Sequence, residues 1–217
     1  MTNPTSRTPE HGDLSGNDRM SRANKIYERT VSNFREQKRG TVPDKTLEAR
    51  VRRGEEQWTV INRLSWMADV ALTDMKSLRF LDLGSGADLS PDSSPPLLCR
   101  FLASKGAELV VGIDQAENNP DTEDVYSHVG IKLNPDTNLP GILQSKHLDK
   151  LNLIVTHMFI DPSNPSPTMT ADLDQMKNAI LHWADALLVP GGTLMLLQAN
   201  AKVYIKSENG LVLKLEL

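Results

Sequence analysis

Apolar positions change their spacing twice along this chain. Residues 1 to 20 are mostly Thr, Pro, Ser, Gly, Asn and Asp. They hold too little apolar surface to offset the entropy of ordering, so a disordered tail is expected. From 20 to 40, Ile26, Tyr27, Val31 and Phe34 recur at helical spacing among charged residues. This predicts a helix with one thin apolar face, ended by Gly40 and Pro43. A longer helix is expected from Asp44 or Lys45 to about Ala71, where Trp58, Ile61, Leu64 and Met67 form an apolar stripe. Residues 21–74 therefore read as a helical N-terminal cap, ahead of a second domain over 75–217.

From Leu78 the helical period gives way to short, nearly continuous apolar runs separated by helical patterns. The runs are LRFLDL (78–83), ELVVGID (108–114), VGIKL (129–133), LNLIVTH (151–157) and GTLMLLQA (192–199). Strands buried on both faces read this way, so the fold class is α/β with a mainly parallel sheet. PPLLCRFLASKG supplies the first crossover helix, with prolines suited to a first turn and Gly106 to the position after the last. The clearest helix is 171–188, with Leu173, Met176, Ile180, Trp183 and Leu187 on its apolar face and Asp172 and Asp174 in its first turn. DTEDVYSHV gives one or two helical turns and LPGILQSKHL about two. The last stretch, AKVYIKSENGLVLKLEL, alternates on both sides of Asn209-Gly210, which predicts a hairpin with a type I′ turn. Few residues separate it from the run before, so 192–199 is expected to continue, bent, into 201–206, with the final strand returning antiparallel. That final strand, at a sheet edge, could pair across a homodimer.

Composition narrows the function class. The 217 residues carry a net charge of −4 and a pI near 5.7, which does not indicate a nucleic-acid partner, since such binding needs a basic footprint. Arg50, Arg52 and Arg53 read as a solvated helix face or, on a sharper reading, as a contact to an anionic partner. The single cysteine, Cys99, excludes an intrachain disulfide and reads as a small buried apolar residue. The N-terminus has no apolar core of a secretory signal, and no run approaches the ~20 residues that span a bilayer. A cytoplasmic protein without membrane association is expected. The histidines at 11, 128, 147, 157 and 182 form no short-spaced pair, so no metal site is expected.

Candidate chemistry concentrates in FLDLGSGADLSP (80–91), a strand running into a glycine turn. A dinucleotide site would read G-x-G-x-x-G with a helix starting directly at the turn. Here Gly84 and Gly86 fill two positions, Leu89 occupies the third, and SPDSSPP delays the helix. Asp82 would also repel a pyrophosphate. S-adenosylmethionine suits the same residues better. It carries an ammonium and a sulfonium, so an acid ending the first strand accepts a charge-assisted hydrogen bond, and the glycines admit a close backbone approach. Asp114, after the second apolar run, supplies an acceptor for ribose hydroxyls.

LDLGSG, VVGIDQ, LNLIVTH and LLVPGGTLML, in this order and spacing, resemble the core of the class I S-adenosylmethionine-dependent methyltransferases. The likeness covers about residues 78 to 199. It implies a Rossmann-like sheet, mostly parallel with an antiparallel C-terminal strand and helices on both faces, abbreviated here to six strands because no helix is legible between the fifth and sixth. It implies that Asp82, Gly84, Ser85 and Gly86 hold the methionine portion, Asp114 the ribose, and that Gln115 lies beside the adenine. Thr156 and His157, ending the fourth strand, would face the methyl group, with His157 as the base where the acceptor must lose a proton. The acceptor itself is not legible; a small molecule is favoured. The chain departs from the family at Asp88, where a glycine is usual, and at Lys132, where an acid is common; Asn134 or Asp136 would then take the adenine contact. FIDPSNPSP reads as a proline-rich loop over the site mouth, with Asp161 a turn residue. These departures motivate the alternative of a binding or scaffold protein that keeps the fold without catalysis.

Overall fold

A computed structural model of the chain describes residues 16–40, 43–87, 95–116, 125–157, 173–197 and 200–217. The first helix, α1 (Gly16–Lys38), starts inside the segment expected to be a tail. Its buried residues Ala23, Ile26, Thr30 and Phe34 follow the helical period. The second expected helix is two, α2 (Asp44–Val51) and α3 (Arg53–Met67), with a break at Arg52. A Cβ on Gly54 would lie 2.7 Å from the carbonyl oxygen of Leu97. The chain bends so that this glycine backbone can seat against the next helix. α3 then stops four residues short of Ala71. Asp69 takes a left-handed conformation, φ 53°, and Val70 N–H donates to Ser65 O at 2.9 Å, closing the helix end. Ile61 and Leu64 are buried as expected, whereas Met67 is exposed and Ala68 fills the core position.

Seven strands form one sheet: β1 (Arg79–Leu83), β2 (Leu109–Asp114), β3 (Ser127–Gly130), β4 (Leu151–His157), β5 (Leu188–Leu197), β6 (Lys202–Ser207) and β7 (Gly210–Glu216). The order is β3-β2-β1-β4-β5-β6-β7. β1 to β5 are parallel, and β6 and β7 antiparallel. The winding reverses between β1 and β4, the switch point outside which ligands bind in open α/β sheets. Helices α4 (Leu97–Ser104), α5 (Leu139–Ser145) and α6 (Leu173–Leu187) complete the crossovers. Gly106 has φ 86° just past α4, as its position predicts.

Three expectations about the sheet need correction. The sheet has seven strands rather than six, because 192–199 does not continue into 201–206. β5 and β6 pair antiparallel, Thr193 with Ile205 and Leu196 with Lys202. A connection of residues 198–201 is too short for a parallel crossover but long enough to reverse the chain. Next, β3 lies at 127–130 instead of 129–133, so Tyr126 to Val129, read as helical turn, lead into or form strand. Finally, the terminal hairpin turns at Glu208 and Asn209, with Ser207 opposite Gly210. Among these residues only Gly210 has positive φ, 110°, so the turn is not type I′.

Two apolar clusters flank the sheet. On one face Leu81, Leu83, Val111, Ile113 and Ile154 pack with Leu143 of α5 and Met176, Ile180 and Trp183 of α6. On the other, Phe80, Val110, Leu153 and Val155 pack with Leu98 and Leu102 of α4, Ile61 and Leu64 of α3, and Ala23 of α1. The N-terminal helices thus share the sheet's core. Cys99 is fully buried in this cluster. Tyr27 of α1 meets Phe101 of α4 edge-to-face, and burial, with Glu55 of α3 nearby, pushes its phenol up to about 12. α4 returns from the carboxyl edge of the strands to their amino edge. Its first residue, Leu97, touches Gly54, so the α2–α3 junction stands at the carboxyl edge. There Phe34, Leu47 and Val51 make a small core of their own. No helix among the described residues is long and apolar enough to cross a membrane.

Candidate functional site

The glycine turn leaves β1 with Gly84 at φ 82° and Gly86 at φ 81°, conformations that side-chain-bearing residues rarely adopt. Gly84 N–H and Ser85 N–H both donate to Ile113 O, at 2.9 and 3.0 Å. The turn is therefore clamped onto the end of β2. Gly86 N–H donates to Asp114 Oδ2 at 3.1 Å. Ala116 N–H donates to Asp114 Oδ1, also at 3.1 Å. Ser85 Oγ donates to Gly86 O at 3.1 Å. One carboxylate thus ties the glycine turn to the segment that follows β2.

Strand register brings the two acids to one side. Asp82 pairs with Gly112, two residues before Asp114. Leu81, Leu83, Val111 and Ile113 belong to the α5/α6 face, so Asp82, Gly112 and Asp114 lie on the α4 face. Asp82 is buried at 2 % exposure. Sequence reasoning did not single out Gly112. A Cβ there would lie 2.8 Å from Ser85 Oγ, 2.8 Å from Tyr126 Cε2 and 3.1 Å from Cys99 Sγ. The missing side chain makes room for the glycine turn. A glycine inside an apolar strand is itself a signal of close approach.

His128 and Tyr126 were also missed. His128 sits opposite Gly112 on β3. Its Nε2 lies 2.8 Å from Ala116 O and its Nδ1 3.3 Å from Tyr126 Oη. A carbonyl only accepts, so Nε2 carries the proton, and in the neutral ring Nδ1 accepts from the tyrosine. No sequence signal gives this arrangement, because it depends on the β2–β3 register.

The other expected residues fall at varied places. Gln115 is exposed beside Asp114. Asn134 is exposed, four residues beyond β3, and its side-chain oxygen accepts from Asp136 N–H at 3.0 Å within its own turn. Lys132 is exposed. Asp88, Asp161 and the FIDPSNPSP loop lie outside the described residues. His157 ends β4 at the carboxyl edge, opposite Leu197.

Thr156 is fully buried and pairs with Leu83 and Leu196. It follows Val155 of the α4-face cluster, so it lies on the α5/α6 face, away from the two acids. Among the described residues its hydroxyl has no hydrogen-bond partner. Burying an unsatisfied hydroxyl costs about 1–3 kcal/mol. Thr156→Val keeps the shape and removes that cost. It is expected to raise the thermal midpoint by roughly 2–4 °C, as about 1 kcal/mol does in a chain of this size. An unchanged or lower midpoint in a circular-dichroism melt would show that the hydroxyl is satisfied.

The site therefore offers two carboxylates on adjacent strands and a glycine turn that a ligand can approach closely. Arg100 of α4 is also buried, and its guanidinium donates to Thr30 Oγ1 of α1 at 3.0 Å. Among the described residues no group of three or more His, Cys, Asp or Glu converges as metal ligands would. No protein-family model matches the chain, and no curated protein matches it.

Proposed function

We propose that this chain binds S-adenosylmethionine at the carboxyl edge of β1 and β2 and transfers its methyl group to a small acceptor. The observation that carries this reading is the placement of Asp82 and Asp114 on one face, beside a turn clamped by Gly84, Ser85 and Gly86. Two acids favour a cationic ligand and disfavour a diphosphate. Each carboxylate oxygen of Asp114 accepts from one backbone N–H. A carboxylate has about four acceptor sites, so capacity remains for a vicinal diol. The residues present fit the cofactor.

In this reading Asp82 accepts from the cofactor's ammonium and Asp114 from the ribose hydroxyls. The bound cofactor supplies a methyl group already activated on a sulfonium. What the protein contributes is alignment of the acceptor with that methyl and exclusion of water. The junction of α2 and α3 at the carboxyl edge forms a wall on the substrate side. His157, at the end of β4, takes the acceptor's proton where one must leave.

The test is calorimetric titration with S-adenosylhomocysteine, whose neutral sulfur keeps the ammonium and ribose contacts. Saturable binding is expected in the micromolar range, about −8 kcal/mol. No heat at millimolar ligand overturns the reading. Binding without turnover of any acceptor would favour the second reading, a non-catalytic binding protein that keeps the fold.

A further inference from the structure

A carboxylate can recognise a diol only if its plane is set. The terminal torsion of aspartate is soft, with broad minima, so the plane must be held by its hydrogen bonds. Asp114 has two such restraints. Gly86 N–H grips Oδ2 from the glycine turn, and Ala116 N–H grips Oδ1 from beyond β2. The first donor is immobile, because the turn is bonded twice to Ile113 O. The second belongs to the chain just past the strand, where no ladder bond among the described residues fixes it. What holds Ala116 among them is its other side: its carbonyl accepts from His128 Nε2 at 2.8 Å. His128 is fixed in turn by the strand register with Gly112 and by Tyr126 Oη at 3.3 Å. Tyr126 is buried and packs over Gly112 beside Ser85. A continuous chain of hydrogen bonds therefore runs from Tyr126 through His128, Ala116 and Asp114 to Gly86, and both its ends rest at Gly112 and the glycine turn.

We infer that His128 is a positioning residue for Asp114: by holding Ala116 it sets the carboxylate plane that recognises ribose hydroxyls. The inference rests on the S-adenosylmethionine reading and deepens it. His128 touches no ligand in this scheme. Its contribution lies in selectivity for a ribose over a deoxyribose, which general loss of packing does not alter.

The experiment compares S-adenosylhomocysteine with its 2′-deoxy analogue by calorimetry. The natural chain should prefer the ribose ligand by about 10- to 100-fold, the worth of one hydrogen bond to a charged acceptor. His128→Leu, which removes both ring bonds at similar volume, should reduce that preference to roughly threefold or less, chiefly by weakening the ribose ligand. His128→Gln can still present an N–H to Ala116 O and should restore most of the preference. Should His128→Leu fail to fold, His128→Asn, whose amide ends short of Ala116, is expected to behave as the leucine variant does. Full preference retained in the folded leucine or asparagine variant overturns the inference and leaves the S-adenosylmethionine reading intact. Loss of preference in the glutamine variant equal to that in leucine also overturns it. Absence of binding by the natural chain overturns the underlying reading instead.

Discussion

Gly112→Ala is expected to lower the unfolding free energy by about 2–3 kcal/mol, the upper range for overpacking a filled site. The thermal midpoint should fall by roughly 5–10 °C. The argument is steric. Position 112 does not have the positive φ of Gly84 or Gly86, so its backbone accommodates alanine. The added methyl would meet Ser85 Oγ and Tyr126 Cε2 at 2.8 Å each and Cys99 Sγ at 3.1 Å. These neighbours come from the glycine turn, the residue just before β3 and α4. Tyr126 is buried and bonded to His128, so its ring cannot swing aside cheaply. Ser85 Oγ can rotate away, but only by giving up its hydrogen bond to Gly86 O within the glycine turn. The same substitution should therefore weaken S-adenosylhomocysteine binding. Combining it with Ser85→Gly should recover part of the stability, since one of the two closest contacts disappears. Denaturation midpoints of the three variants check this. An alanine variant as stable as the natural chain would mean that the turn does not depend on the space above Gly112.

Asp114→Ala should reduce affinity for S-adenosylhomocysteine by about 100-fold or more. Two hydrogen bonds to a charged acceptor, at roughly 1.5–3 kcal/mol each, account for that loss. The loss has two sources. The ligand's ribose hydroxyls lose their acceptor, and Gly86 and Ala116 lose the group that aligns them. Because Asp114 is partly exposed, water can satisfy the freed N–H groups, and stability should drop by only about 1–2 kcal/mol. Asp114→Asn retains one carbonyl oxygen and should fall between. Calorimetry paired with thermal melts separates the two effects. A variant that binds as tightly as the natural chain but melts earlier would reduce Asp114 to a structural clamp.

Much of this was legible in residue order. The glycine turn needs two residues with φ near +80°, and LDLGSG supplies glycines at both. The burial of Met176, Ile180, Trp183 and Leu187 follows from their helical spacing. Gly106 ends α4 where its position suggested. Other features had no local signal. Gly54, just past the break at Arg52, seats against Leu97, a residue of another helix. The turn that the Asn134 side chain closes onto Asp136 N–H also had no signal in the sequence pattern.

By itself the sequence determined the α/β class, the positions of β1, β2, β4 and α6 to within a few residues, and the backbone freedom of the glycine turn. These depend on local periodicity and on φ angles, which neighbouring residues govern. Only the tertiary structure decided that β5 reverses into β6, that Asp82 and Asp114 share a face while Thr156 lies on the other, and that His128 reaches Ala116. The last two depend on strand register. A shift of one residue exchanges the two faces of a strand, and hydrogen bonds between distant segments choose the register.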